Sequence, residues 1–247
     1  MRALVLGGSG SIGTAIVDRL LEDGYEVDLQ FFSADKSKLV TRYLNQPVNL
    51  IQCDLSKDIN LDKFFGHINH LDCMIYATGT ALYGMIQDVT DGQVDQSYHI
   101  HVRQFIRLSR FFVDTLRQSE NGRIIVISSI WGEMGASMET IYSAMKSAQI
   151  GFVKALSQEL AQTTVTVNAI TPGFVSGNMS QKWSEEELEE ILDDIPQHRM
   201  IEPCEIAHTC AYLYDPRAKS VTGTIQKVNG GWLSLIHISE PTRRRGI

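Results

Sequence analysis

Residues 2–13, RALVLGGSGSIG, set the strongest constraint on what this chain can fold into. A short apolar run ending at Leu6 passes directly into Gly7-Gly8-Ser9-Gly10-Ser11-Ile12-Gly13. Ala15, Ile16, Leu20 and Leu21 then recur at helical spacing as far as Gly24. Strand, glycine turn and helix in that order bring backbone N–H groups and the positive end of a helix together. That is the setting that receives a pyrophosphate.

The rest of the chain keeps alternating. Strand patterns fall at 26–32, 48–53, 71–76, 123–128, 164–169 and 223–228, and helical patterns at 36–44, 92–116, 142–160, 184–194 and 203–214. A breaker, Thr171-Pro172-Gly173, follows the sixth strand. With no repeat and no low-complexity segment, this predicts a single-domain α/β fold over 1–232. It is a Rossmann-type doubly wound parallel sheet of about seven strands with helices on both faces. Ligands of such a sheet bind at the carboxyl ends of its strands, where Gly7, Asp54, Gly79, Ser129 and Pro172 all fall.

Composition narrows the function. The 247 residues are 43% hydrophobic with net charge −7, mean hydropathy −0.08 and isoelectric point near 5.5. This argues against a general binder of nucleic acid or anionic membranes, and no apolar run reaches membrane-spanning length. Cys53, Cys73, Cys204 and Cys210 show neither C-x-x-C pairing nor zinc spacing, which implies reduced thiols, no metal site and a cytoplasmic protein. Met1 leads straight into the first strand without a signal-peptide pattern. Residues 233–247 stand apart: LSLIHISEPTR back-translates to a transposase adapter used in sequencing libraries. They are read as an artefact tail, with the native chain cut or ending near Trp232.

The chemistry is concentrated in residues 124–146. A strand breaks at Ser128-Ser129, and a glycine-punctuated loop leads to a helical pattern carrying Tyr142 and Lys146. Positions i and i+4 share a helix face, so a lysine cation beside the phenol is expected to draw its pKa from about 10 toward neutrality. Ser129, delivered from the strand end, could hold a carbonyl oxygen against that phenol. The set is suited to moving a proton to or from a carbonyl or alcohol oxygen.

The Gly7–Gly13 turn, Asp54, Ser129, the Y-x-x-x-K of Tyr142 and Lys146, Asn168, Pro172-Gly173 and Asn229-Gly230-Gly231 arrive in the order and spacing of the short-chain dehydrogenase/reductase family, which the chain resembles over 1–232. The resemblance implies an NAD(P)H-dependent carbonyl reductase with Tyr142 as general acid. Ser129 polarises the carbonyl, and Lys146 lowers the tyrosine pKa and binds the nicotinamide ribose. Cofactor contacts are expected at Gly7, Ser9, Ser11, Ile12, Gly13, Ser33, Asp54, Leu55, Ala77, Gly79, Tyr142, Lys146, Pro172, Gly173 and Val175. The second strand ends Phe31-Phe32-Ser33 with no carboxylate before Asp35 and with Lys36 and Lys38 near, which favours NADPH.

Within the family, Ser128-Ser129-Ile130-Trp131-Gly132, Gly135-Ala136-Ser137, Tyr83-Gly84 and Gly230-Gly231-Trp232 are similar to the reductases that complete the 5-aminopentanol modification of elongation factor P. Pro172-Gly173-Phe174 and Thr222-Gly223 are similar to the 3-oxoacyl-acyl-carrier-protein reductases. The substrate is therefore read as 5-aminopentanonyl-lysine on elongation factor P, with an acyl-carrier-protein thioester as the alternative. A non-catalytic NADP(H)-binding regulator is the alternative of another class.

The chain also departs from the family. Ser11 replaces a glycine and is expected to narrow the room beside the pyrophosphate. Tyr76-Ala77-Thr78-Gly79 lacks the asparagine that braces the sheet. His101 stands where the catalytic asparagine is usual, either to hold the water that reprotonates Tyr142 or as a structural histidine. Asp54 is either the adenine-contacting aspartate or a helix cap. Seven carboxylates fall within 185–194, read as a solvated helix or as a lid that meets a cationic substrate. Phe105, Leu108 and Phe112 lie on one stripe that fits either the core or a homotetramer or homodimer contact.

Overall fold

In a computed structural model, which describes residues 1–177 and 183–232, seven strands form one parallel sheet in the order β3-β2-β1-β4-β5-β6-β7. The strands are β1 (Arg2–Leu6), β2 (Glu26–Phe31), β3 (Val48–Gln52), β4 (Cys73–Tyr76), β5 (Arg123–Ile127), β6 (Thr166–Pro172) and β7 (Ile225–Val228). Winding reverses between β1 and β4, and the crevice at that switch point opens at the carboxyl ends of the strands. The tail at 233–247 lies outside the described residues.

Both faces of the sheet are covered, which is why its strands read as continuous apolar runs instead of alternating ones. Ala3, Val5, Val27, Leu29 and Phe31 pack on the side of α1 (Ser11–Glu22) and α9 (Pro203–Tyr214). Leu4, Leu6, Met74, Ile124 and Val126 point the other way, toward α5 (Gln104–Arg117) and α7 (Thr140–Glu159). Phe105, Leu108 and Phe112 belong to this second core and are at most 1% exposed. The stripe is core packing, not an oligomer surface.

Four elements differ from the expectation. The helix expected over 92–116 is α4 (Asp91–Tyr98), a π turn (His99–Arg103) and α5. β6 continues through Pro172, because that residue pairs with Val228 of β7 at the end of the ladder. A proline tolerates a strand terminus, where its missing N–H breaks nothing further. Short helices α3 (Leu61–Phe65) and α6 (Trp131–Met134) carry too few residues to show a period. Between α2 (Lys36–Arg42) and α9, the acidic segment forms α8 (Glu185–Asp193).

Candidate active site

The glycine turn is held from below by a buried glutamine that sequence reading passed over. Gln30, 2% exposed, accepts the Gly7 N–H at 2.8 Å and donates through Nε2 to the Cys53 carbonyl at 2.7 Å. Its own carbonyl takes the Gly8 N–H at 2.9 Å. One side chain thus ties the ends of β1, β2 and β3. Its only signal was a polar residue inside an otherwise apolar strand. Gly7 has φ +77°, and a Cβ there would lie 2.8 Å from Thr78 Oγ1. One on Gly13 would lie 2.1 Å from the Gly7 carbonyl, so no other residue fits either place. α1 begins at Gly10 with no side-chain cap and no acid in its first turn, leaving its positive end for an anion. Ser11 turns its hydroxyl toward the loop after β6, where a Cβ on Gly177 would come within 2.3 Å of it. Ser9 lies in the turn between Gly8 and Gly10.

At the end of β2, Ser33 is exposed. The nearby Asp35 carboxylate is committed to capping α2, taking the Ser37 N–H at 2.9 Å and the Ser37 hydroxyl at 2.6 Å. Those bonds hold its pKa below the ordinary carboxylate range. Asp54 likewise accepts from the N–H and hydroxyl of Ser56 (2.9 and 2.6 Å), closing the turn after β3. Leu55 buries its side chain in the core, so only its main chain is left for a ligand. The Ala77 N–H extends the β1 ladder by bonding Leu6. Across the crevice, the Gly173 N–H bonds the Val228 carbonyl at 2.9 Å, the Pro172 carbonyl accepts from Ile130, and Val175 bridges to Ile201.

The reacting groups meet above β4 and β5. Lys146, 3% exposed, donates through Nζ to the Ile127 carbonyl at 2.9 Å and lies 5.5 Å from the centroid of the Tyr142 ring. Gly132 lets α6 lie on α7, since a Cβ there would be 2.9 Å from Lys146 Cβ. The Ser129 hydroxyl accepts the Trp131 N–H at 3.2 Å and acts on the Tyr142 hydroxyl beside it, and Ser128 donates to the Lys146 carbonyl at 3.0 Å. His101, fully buried, packs edge-on to Tyr142 with ring centroids 5.5 Å apart. Its Nε2 lies 3.0 Å from the Thr80 carbonyl, while Nδ1 has no partner. Gly79 makes room for this pair: a Cβ there would be 2.9 Å from His101 Cε1 and 3.5 Å from both His101 Nδ1 and Lys146 Nζ. The structure thus brings Gly79, His101, Ser129, Tyr142 and Lys146 into one cluster.

The electrostatics correct the expectation for Tyr142. Burial pushes its hydroxyl up to about 12, the Ser129 hydrogen bond pulls down and Glu139 pushes further up. Burial lowers Lys146 to about 7. Taking both groups out of water outweighs what their proximity returns: the phenol stays protonated, and Lys146 is about half protonated near pH 7. Burial and the Lys146 charge lower His101 to about 3. A protonated phenol is the form a proton donor needs.

Two further side chains support the cluster. Tyr76 at the end of β4, fully buried, donates its hydroxyl to the Ile100 carbonyl of the π turn. Gln149 Nε2 donates to the His101 carbonyl at 2.8 Å. Gln149 lies three residues beyond Lys146 on the same helix face, a spacing that could have revealed it.

A pyrophosphate cradle beside a buried serine–tyrosine–lysine set defines a dinucleotide-dependent oxidoreductase. A family model described as enoyl-(acyl carrier protein) reductase matches residues 7–233. The uncharacterized oxidoreductase YmfI of Bacillus subtilis (strain 168) is 36% identical over 236 residues, covering 93% of this chain and 98% of that protein. The 3-oxoacyl-[acyl-carrier-protein] reductase FabG of Rickettsia typhi is 32% identical over 233 residues, covering 94% of this chain and 97% of that protein. A solved short-chain dehydrogenase/reductase of Serratia marcescens superposes with a TM-score of 0.86 at 27% identity, over 94% of this chain and 98% of that one. The chain belongs to the short-chain dehydrogenase/reductase family and is an NAD(P)H-dependent oxidoreductase acting on ketone or hydroxyl groups.

Proposed function

We propose that the protein is a cytoplasmic NADPH-dependent ketone reductase whose substrate is 5-aminopentanonyl-lysine on elongation factor P. The observation that carries the reaction is the protonated Tyr142 hydroxyl, with Ser129 acting on it and Lys146 Nζ 5.5 Å from its ring. The dinucleotide fits the residues present. Gly7, Ser9, Ser11, Ile12 and Gly13 would hold its pyrophosphate, Asp54 and Leu55 its adenine side, and Ala77, Gly79, Pro172, Gly173 and Val175 the nicotinamide end. Thr78 Oγ1, buried without a partner, is a free donor beside Gly7. Ser33, Lys36 and Lys38 are exposed where a 2′-phosphate would lie, and the Asp35 carboxylate is occupied by Ser37, which supports NADPH over NADH.

When bound, the cofactor supplies the hydride. Ser129 orients the carbonyl oxygen, Tyr142 donates its proton to it, and the Lys146 charge stabilises the phenolate so formed. His101, neutral, offers Nδ1 as the acceptor for a water that returns the proton. The outer face of α7 presents Ala144, Ala148, Gly151 and Ala155 to solvent. We assign it to a homo-oligomer, which light scattering in solution would show.

A 3-oxoacyl-acyl-carrier-protein substrate is the second reading, favoured by the similarity to the Rickettsia reductase. NADPH oxidation with acetoacetyl-acyl-carrier protein, beside mass spectrometry of elongation factor P from a deletion strain, separates the two. Unreduced aminopentanone accumulating in the strain supports the first substrate, and normal modification overturns it.

A further inference from the structure

Beside the site stands a carboxylate with no hydrogen-bond or ion-pair partner among the described residues. Glu139 is the residue at the mouth of α7, one helical turn before Tyr142, and it is partly buried. It is in the N-cap position, yet its side chain makes no capping bond, and no hydrogen bond or ion pair holds it among the described residues. Lys146, the cation of the cluster, donates instead to Ile127. A partly buried carboxylate without a partner loses hydration that nothing returns, and this burial raises its pKa.

The residue before it departs from ordinary backbone geometry. Met138 has φ +62°, a left-handed conformation that costs a non-glycine residue on the order of 1–2 kcal/mol. The Met138 carbonyl is clamped by the Gly84 N–H at 2.7 Å, and the Ser143 hydroxyl takes the Ala136 N–H at 3.2 Å from behind. The clamp places Glu139 beside the rim built on Tyr83. That ring packs edge-on to Trp183 with centroids 6.0 Å apart, just ahead of the acidic α8. Glu139 thus has an unpaired carboxylate three residues before Tyr142, with its charge acting on the Tyr142 hydroxyl, on a segment bonded to the Tyr83–Gly84 loop.

We infer that Glu139 is a specificity-determining residue that seats a protonated amine carried a few bonds from the ketone. The inference rests on the reductase reading above and identifies the substrate class as a cationic ketone. A neutral pantetheine thioester gives such a carboxylate nothing to bind, and a free oxo acid would be repelled. α8 adds long-range attraction, but Glu187 is engaged in its capping box with Ser184, and the remaining acids stand in solvent.

The test uses the full-length protein with NADPH and three ketones of similar size: protonated dimethylaminobutanone, its neutral isostere methylhexanone, and anionic levulinate. Wild type should prefer the cationic ketone over the neutral one in kcat/KM. Glu139→Gln should cut that ratio roughly tenfold to a hundredfold, the size of a lost charge-assisted hydrogen bond. Glu139→Lys should shift the preference toward levulinate. Taking a ratio cancels any effect of Glu139 on Tyr142 common to all three substrates. An unchanged ratio in Glu139→Gln overturns the inference while leaving the reductase reading intact. If wild type reduces none of the ketones, the reductase reading fails. Calorimetric titration of wild type and Glu139→Gln with dimethylaminobutanone then decides the inference alone: weaker binding to the variant supports it, and equal binding overturns it.

Discussion

The Tyr76 hydroxyl at the end of β4 donates to the main-chain carbonyl of Ile100 inside the π turn. The next carbonyl, that of His101, takes Gln149 Nε2 from α7. Two buried side chains thus hold the widened turn that carries His101 to Tyr142. π turns inside α-helices are frequent at functional sites.

Tyr76→Phe removes that donor and strands a buried carbonyl, at a cost of about 1–3 kcal/mol. Thermal melting should fall by roughly 2–4 °C for each kcal/mol. The turnover number should fall further than this loss of stability explains, because His101 is released from Tyr142. A variant with wild-type turnover would show that the π turn holds itself.

Tyr142→Phe should lower kcat by about two to four orders of magnitude, the range of a lost general acid, with cofactor binding retained. Because burial holds the Tyr142 hydroxyl near 12, the ultraviolet difference spectrum between wild type and Tyr142→Phe should show no phenolate below about pH 11 without cofactor. A phenolate titrating near neutrality would contradict the burial argument.

His101 makes stability depend on acid. The folded chain resists protonation down to about 3, whereas an unfolded histidine accepts a proton near its ordinary value of 6.5. Acid therefore draws the equilibrium toward the unfolded state. The contribution is fully present above pH 6.5 and is lost as pH falls from there toward 3, amounting to about 2 kcal/mol at pH 5. Urea unfolding at pH 7 and pH 5 should show a smaller loss in His101→Asn than in wild type.

Gln30→Leu keeps the volume of the side chain but removes the acceptor of the Gly7 N–H and the donor to Cys53. The KM for NADPH should rise on the order of tenfold, and melting should fall as two buried polar groups lose partners. Tryptophan quenching by NADPH measures the affinity directly. Unchanged affinity would show that the turn is held by its glycines alone.

Much of the sheet was legible because burial on both faces leaves strands as short apolar runs between glycine and polar breaks. β1, β2, β5 and α9 fall within a residue or two of their patterns. Asp54, Gly79, Ser129 and Pro172 all lie at strand ends because topology puts every strand's carboxyl end on one edge. The π turn was not legible: the helical period runs through it with no sequence mark, and its width comes from donors on β4 and α7. The same holds for Met138, whose left-handed backbone belongs to a residue type that rarely adopts it.

By itself the sequence determined the elements, their order and the residue types of the chemistry, since these follow from local periodicity and spacing along the chain. Only the tertiary structure decided their states. Lys146 and Tyr142 share a helix face from sequence alone, but whether each is charged depends on how much water the packed crevice withholds. Gln30 and Tyr76 act on partners 23 and 24 residues away, distances at which no local pattern survives. Glu139 stands out only because the fold gives its carboxylate no hydrogen-bond or ion-pair partner among the described residues.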